Sequence, residues 1–131
     1  MGYKLPFPPS IWQAYYRKSN YDTKSDVYKD FELEAYEALR NQGFTLKEHD
    51  MFKITILFSR KNWRIKCGRV RKTDLDNYLK CSIDTITSYL KDRCAWFDDS
   101  LIFEIHAKKH YGDEDCMFFK IVPIYDQITT Q

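Results

Sequence analysis

The sequence predicts an α+β fold: one compact domain over residues 1–131, with a small mixed or antiparallel sheet and two main helices. Two stretches have the apolar spacing of helices, and other stretches alternate apolar and polar residues as strands do. No repeat, linker or low-complexity tract interrupts them. A chain of 131 residues with 44% hydrophobic residues can bury one core.

The N-terminal residues 3–9, "YKLPFPP", predict an extended segment because proline fixes the backbone and restricts the residue before it. We expect a short edge strand that runs into a loop. The following stretch, "SIWQAYYRKSNYDTK", is polar and aromatic without clear periodicity, and it predicts a longer loop.

Two helices are predicted, each beginning at a polar or acidic residue. Ser25 is a suitable N-cap for a helix over 26–42, with Gly43 as its terminator. Its predicted core residues recur at every fourth position: Val27, Phe31, Ala35 and Leu39. The second helix should run from Asp76 to about Leu90. Its apolar stripe is predicted to be Leu75, Leu79, Ile83, Ile86 and Leu90.

The remaining apolar stretches predict two hairpins. Residues 52–58 alternate in the pattern of a strand with one buried face, "SRKN" makes a turn, and residues 63–67 alternate as a returning strand. Residues 101–109 and 116–124 predict a second antiparallel pair, joined by "HYGDED".

A block of positive charge lies in the first hairpin and the loop after it. Residues 51–73 contain eight Lys or Arg and no Asp or Glu, although the whole chain has a net charge of only +2. Such a block is typical of a surface that faces a polyanion, and a solvated hairpin without a partner is the alternative. Seven of these residues are predicted to contact the phosphates of such a polyanion: Arg60, Lys61, Arg64, Lys66, Arg69, Arg71 and Lys72.

The composition favours an intracellular, soluble protein. No run of 18 apolar residues predicts a membrane span, and "MGYKLPFPPS" has no apolar signal-peptide core. The four cysteines are scattered, which is typical of free thiols in a reducing compartment.

Carboxylates are gathered where the basic block meets the second helix. Asp74 and Asp76 are two residues apart, so in an extended segment their side chains point the same way. Mg²⁺ prefers such oxygen ligands together with phosphate oxygens. If the connection carrying Asp98 and Asp99 folds back beside them, a metal site suited to phosphodiester hydrolysis results, with Lys80 one turn away. Ordinary helix capping by these aspartates is the competing interpretation.

Three stretches resemble the RusA family of Holliday junction resolvases, in the order of that family. They are "LPFPPS", which resembles its opening L-P-x-P-P-S, "KTDLDNYLKCSID", which resembles its D-x-D-N-x-x-K pattern, and "WFDDS", which resembles its closing acidic step. The chain departs from the family pattern at residues 11–13 and at Thr73, where the family often has a proline.

The resemblance implies a RusA-like fold and a homodimeric, Mg²⁺-dependent endodeoxyribonuclease, for which Mn²⁺ is a possible substitute. It would cut four-way or branched DNA by paired hydrolysis, in the cytoplasm or nucleoid or in a virus-infected cell. The matching catalytic positions are Asp74, Asp76, Lys80 and Asp99. The three aspartates would hold the metal, with Asp98 as an alternative ligand, and Asn77 matches the motif asparagine and is placed with the DNA-binding residues. A non-catalytic nucleic-acid-binding protein on the same fold is the alternative, and a protein-interaction module is the third hypothesis.

Overall fold

A four-stranded mixed sheet carries two long helices on one face. The computed structural model describes residues 2–18, 21–64, 67 and 75–125. The elements in chain order are β1 (Tyr3–Pro6), α1 (Ile11–Ala14), β2 (Tyr15–Lys18), β3 (Tyr21–Lys24), α2 (Asp26–Asn41), β4 (Phe52–Arg60), α3 (Asp76–Arg93), a 3₁₀ turn (Asp99–Leu101), β5 (Ile102–Tyr111) and β6 (Cys116–Pro123). The α+β prediction is therefore confirmed.

Strand β4 lies inside the sheet, whose order is β1-β6-β4-β5. The predicted alternation is confirmed, because Ile54, Ile56 and Phe58 are fully buried while the residues between them are only partly covered. The buried face is covered by helices: α3 places Tyr78 against Phe58, at 5.5 Å between ring centroids.

Both predicted hairpins are wrong in their pairing. Strand β4 is parallel to β5 on one side and antiparallel to β6 on the other, so no edge of β4 remains for a strand returning at residue 63. Strands β5 and β6 exist as predicted but β4 lies between them. A parallel pair needs a long crossover, and α3 provides it between β4 and β5. The connection at residues 112–115 then passes over the end of β4, where the Gly112 amide donates to the Arg60 carbonyl at 2.9 Å.

The segment predicted as a loop between β1 and α2 contains regular structure instead. Ser10 caps the short helix α1 in a capping box, in which its hydroxyl accepts from the Gln13 amide and the Gln13 side chain accepts from the Ser10 amide. The chain then forms the antiparallel pair β2–β3. The Ser-x-x-Gln spacing was present in the sequence as a helix-start signal, and the prediction overlooked it.

Helix α2 begins and ends close to the predicted residues, and Ser25 caps it by accepting from the Tyr28 amide at 3.2 Å. Phe31, Ala35 and Leu39 are buried as predicted, but Tyr28 is buried in place of Val27, which is 53% exposed. A strict spacing of four drifts around a helix that has 3.6 residues per turn, and this drift explains the error at the first position.

The C-terminus of α2 is closed by a Schellman motif. The Phe44 amide donates to the Leu39 carbonyl and the Gly43 amide donates to the Arg40 carbonyl, both at 3.0 Å. Gly43 has a φ of 67°, in the left-handed region where a side chain is disfavoured.

We expect Gly43→Ala to lower the free energy of unfolding by about 1 kcal/mol, because an alanine Cβ would be strained at this φ although no atom lies within 4 Å of it. Urea denaturation of the variant measures this loss. Gly2→Ala is the matched control, since its Cβ would meet only the Phe119 carbonyl oxygen at an ordinary 3.5 Å. Equal stability of Gly43→Ala and the parent would contradict the prediction.

Helix α3 extends three residues beyond the predicted end, to Arg93. Its buried face is rotated from the predicted stripe. Ile86 and Leu90 are buried as predicted, whereas Leu79 and Ile83 are only half-buried. The face toward the core instead contains Tyr78, Cys81, Ser82, Thr85 and Tyr89. The small and aromatic polar residues pack inward because α3 lies against α1 and α2, while its Tyr78 ring contacts Phe58 of the sheet.

Candidate active site at the ends of helix α3

Asp76 occupies the first turn of α3 and its side chain is exposed. Leu75 holds the N-cap position, and no side-chain capping bond is formed there among the described residues. Within that part of the chain the Asp76 carboxylate also has no hydrogen-bond or ion-pair partner. Asp76 is therefore not an N-cap in the described structure, and its carboxylate is available to a ligand. Asp74, the other half of the predicted pair, lies outside the described residues.

An aromatic cluster fixes the start of α3 against the N-terminal motif. The Phe7 ring, from "LPFPPS", lies 5.0 Å from Tyr78 of α3 and 6.0 Å from Trp63. The Arg60 guanidinium lies over this cluster, 4.1 Å from the Phe7 centroid. Trp63 is anchored in turn by its indole N–H, which donates to the His110 carbonyl at 2.7 Å. The cluster explains why two distant sequence motifs meet near Asp76, and it was not predicted from the sequence.

Lys80 lies one turn after Asp76 and has a partner of its own. Its Nζ is 3.3 Å from Asp84 Oδ2, in an i,i+4 ion pair whose two side chains are 48% and 42% exposed. The same carboxylate oxygen accepts from the Tyr15 hydroxyl at 3.1 Å. Burial, followed by hydrogen bonding to Tyr28 and the charge of Asp84, raises the pKa of Tyr15. Lys80 is thus held in place and remains half-open to solvent.

Asp98 and Asp99 lie beyond the other end of α3 and have different surroundings. The Asp98 carboxylate accepts from the Ser100 amide at 3.0 Å. Hydrogen bonds from the side chain and the backbone of Ser100 lower the pKa of Asp98. Asp99 is 55% exposed and its Oδ1 lies 3.0 Å from Lys91 Nζ. The hydrogen bond to Asp99 in turn raises the pKa of Lys91. Asp98 therefore caps the 3₁₀ turn, while the Asp99 carboxylate pairs with Lys91 in the last turn of α3.

The structure does not bring Asp76 and Asp99 together within one chain. Asp76 and Lys91 are separated by fifteen residues of continuous helix, which is roughly 22 Å at about 1.5 Å per residue. Asp99 is bound to Lys91, so even fully extended side chains leave the two carboxylates roughly 10 Å apart. Consistent with this, no cluster of three His, Cys, Asp or Glu suited to a metal occurs among the described residues.

The predicted basic surface is described only at its beginning. Lys61 and Arg64 are exposed near the end of β4. Arg60 differs from them, since its side chain is 21% exposed and its guanidinium is 3.9 Å from Asp115 as well as stacked on Phe7. Asn77, the motif asparagine, is half-buried in the first turn of α3. The other predicted phosphate contacts, Lys66, Arg69, Arg71 and Lys72, lie outside the described residues.

A second basic surface covers the face of the sheet opposite the helices. Strand register places Lys53, Lys108 and Lys120 on this open face together with Glu104, because each lies at, or pairs with, a β4 position that alternates with the buried residues. Phe118 lies among them and is 38% exposed. One lysine from each of three strands lies on this face, and the wrong hairpin pairing had concealed that they share it.

Comparison with known families agrees with this arrangement. The family model described as endodeoxyribonuclease RusA matches residues 6–121 of the 131-residue chain. The chain belongs to the RusA family. The matched range contains the N-terminal motif, α3 with Asp76 and Lys80, and the Asp98–Asp99 pair. RusA family membership identifies a nuclease that acts on DNA. No curated protein matches the chain at the level of overall sequence. No helix in the described part of the chain is long and apolar enough to cross a bilayer.

Proposed function

We propose that this RusA-family protein is a Mg²⁺-dependent endonuclease that recognises four-way DNA junctions and resolves them by paired hydrolysis of two opposed strands. The observation that carries the proposal is the exposed carboxylate of Asp76, which has no partner among the described residues, with Lys80 one turn later on the same helix. Nucleic-acid binding alone gives no reason to place an unpaired carboxylate beside phosphate, because the two repel. A cation between them would remove that repulsion.

The donors fit Mg²⁺ in chemistry, since each is a carboxylate, and those of Asp76, Asp98 and Asp99 are exposed. Asp74, Asp76 and Asp99 would hold the ion, and Asp98, whose carboxylate is engaged with Ser100, is the less suited ligand. Within one chain, however, the spacing of Asp76 and Asp99 does not fit one shared ion. When bound, Mg²⁺ supplies a Lewis acid that activates water and stabilises charge on the leaving oxygen.

The chain's own residues supply binding, orientation and charge. Lys80, half-exposed beside Asp84, would neutralise charge that develops on the reacting phosphate. Lys61 and Arg64 would hold the neighbouring backbone through phosphate contacts that carry no sequence information. The cluster around Phe7 would fix the first turn of α3, so that Asp76 keeps its direction during the reaction.

The test is a synthetic four-way junction, labelled on each strand in turn and incubated with the protein in Mg²⁺ or in chelator. We expect symmetric nicks in two opposed strands with Mg²⁺ and none with chelator. Linear duplex of the same sequence is the control for structure selectivity. Tight junction binding without any cleavage in Mg²⁺ or Mn²⁺ would contradict the proposal.

A non-catalytic nucleic-acid-binding protein is the second candidate function, and the open sheet face favours it. Lys53, Lys108 and Lys120 outnumber the single carboxylate of Glu104 on that face, and Phe118 offers an exposed ring on which a base could stack. The chelator experiment separates the two candidates, since binding to this face needs no cation.

Salt dependence should locate the DNA on the basic segment. We expect Lys61→Ala with Arg64→Ala to make the slope of log affinity against log salt shallower by about 1 to 2, because each lost phosphate contact removes about 0.9. Titrations of junction binding from low to moderate salt measure the slope. Lys108→Ala with Lys120→Ala, on the open sheet face, is the matched control of equal charge. A change of slope in the control pair alone would place the DNA on the sheet.

A further inference from the structure

We infer that Trp12 is a base-stacking residue, whose exposed indole stacks on a base left unpaired at the branch point of the DNA. The inference rests on the proposed function and goes beyond it, because it names a contact by which the protein distinguishes a branch from linear duplex. It follows from the exposure of the ring, from its place beside the first half of α3 and from the chemistry of stacking.

The first step is the exposure of Trp12. This residue of α1 is 83% exposed, whereas tryptophan is highly buried on average. The helix itself is packed against the protein, since Ala14 is fully buried and Ile11 is half-buried. Among the described residues, no ring contact or hydrogen bond engages the Trp12 indole. Packing within this part of the chain therefore gives no reason for a tryptophan at the position.

The second step is the path of the chain that carries the ring. The Phe7 ring lies 5.0 Å from Tyr78, near the start of α3. The Tyr15 hydroxyl donates to the Asp84 carboxylate at 3.1 Å, two turns further along the same helix. The chain from Phe7 to Tyr15 therefore runs along the N-terminal half of α3. Trp12 belongs to this stretch and precedes Tyr15 by three residues, which is roughly 5 Å along the axis of a helix.

The candidate active site adjoins the same stretch. Lys80 Nζ lies 5.2 Å from the centre of the Tyr15 ring. Successive residues are about 100° apart around a helix, so Trp12 and Gln13 lie on opposite sides of the buried flank of α1. Gln13 lines a cavity together with residues of α2, and Trp12 therefore points away from that cavity. A phosphate held by Lys80 would bring an adjoining base within reach of the Trp12 ring.

The third step is the chemistry of the DNA. Bases in linear duplex pair and stack with one another, so a side chain can reach a base face only at the cost of unstacking. A base at a branch point has lost a stacking neighbour, and an indole with open faces replaces it. Such stacking tolerates any base, which suits recognition of structure rather than sequence. Residues 11–13 also depart from the RusA pattern, so family membership alone does not account for the ring.

Binding titrations in chelator test the inference without any need for cleavage. We expect Trp12→Ala to weaken binding of a four-way junction by at least about 5-fold, the lower end of the loss of one base–aromatic stack, and to leave affinity for linear duplex within about 2-fold. Trp12→Phe keeps an aromatic ring and should recover much of the junction affinity. Leu33→Ala removes another exposed apolar side chain, on α2, and is the matched control that should bind as the parent does.

Two results of these titrations would overturn the inference. Parental affinity of Trp12→Ala for both DNAs would do so, and would leave the exposed ring to a protein partner. Equal losses on junction and duplex would show that Trp12 supports binding in general rather than recognition of the branch. Failure of the parent protein to cleave the junction in Mg²⁺ is a separate result, which would refute the proposed function.

Tryptophan emission gives a readout that a purely structural role would not change. The chain has three tryptophans, Trp12, Trp63 and Trp96, of which Trp63 is buried. Stacking on a base quenches indole emission, so junction DNA in chelator should quench the parent strongly and Trp12→Phe far less. Linear duplex should quench the parent only weakly. Equal quenching of the parent and Trp12→Phe by the junction would place the stacked base on another ring and overturn the inference.

Discussion

Asp76→Asn is expected to abolish junction cleavage while leaving junction binding intact or slightly tighter. The carboxylate is exposed and, among the described residues, has no partner in the fold, so its loss should not disturb packing. An amide binds Mg²⁺ more weakly than a carboxylate does and no longer repels phosphate. The cleavage rate should fall by at least about 10²-fold, the size typical of losing a group that stabilises transition-state charge. Single-turnover cleavage and a binding titration in chelator measure the two effects separately.

Asp92→Asn is the matched control for this result. Asp92 is an exposed aspartate of the same helix, on a different face from Asp76, and it has no part in the proposed site. The control should cleave at the parental rate. If Asp76→Asn cleaved normally in Mg²⁺, the assignment of Asp76 as a metal ligand would be wrong. If both variants lost activity together, the effect would be one of net charge on α3.

Local signals in the sequence were enough to predict most elements of the fold. Ser25 and Gly43 marked the two ends of α2, and the alternation over residues 52–58 identified β4. These features depend on residues close together in the chain, where capping and strand periodicity act. Family membership was predicted from short motifs for the same reason, and the family model over residues 6–121 confirmed it.

The pairing of the strands could not be predicted in this way, since it depends on residues far apart in the chain. Strands β5 and β6 are joined by a short connection that resembles a hairpin turn, yet β4 separates them. No feature of residues 101–124 indicates that β4 lies between β5 and β6. Strand β4 takes this place because β5 pairs with one of its edges and β6 pairs with the other. The same limitation applied to the candidate active site. The distance between Asp76 and Asp99 depends on the length of α3 and on the ion pair between Asp99 and Lys91.

Lys80→Ala should lower the cleavage rate by on the order of 10²-fold with a much smaller effect on junction affinity, because one positive charge at the reacting phosphate is lost. The competing explanation is that Lys80 only fixes Asp84, which also accepts from Tyr15. A half-exposed i,i+4 pair contributes only about 0.3–0.5 kcal/mol to stability, so loss of the pair alone should scarcely affect the fold.

Asp84→Asn distinguishes these explanations, since it removes the same ion pair but leaves the lysine charge. We expect Asp84→Asn to cleave within a few-fold of the parent, and Lys80→Arg to recover part of the rate lost in Lys80→Ala, because arginine keeps the charge but not the compact ammonium geometry. Equal losses in Lys80→Ala and Asp84→Asn would show that Lys80 is a positioning residue.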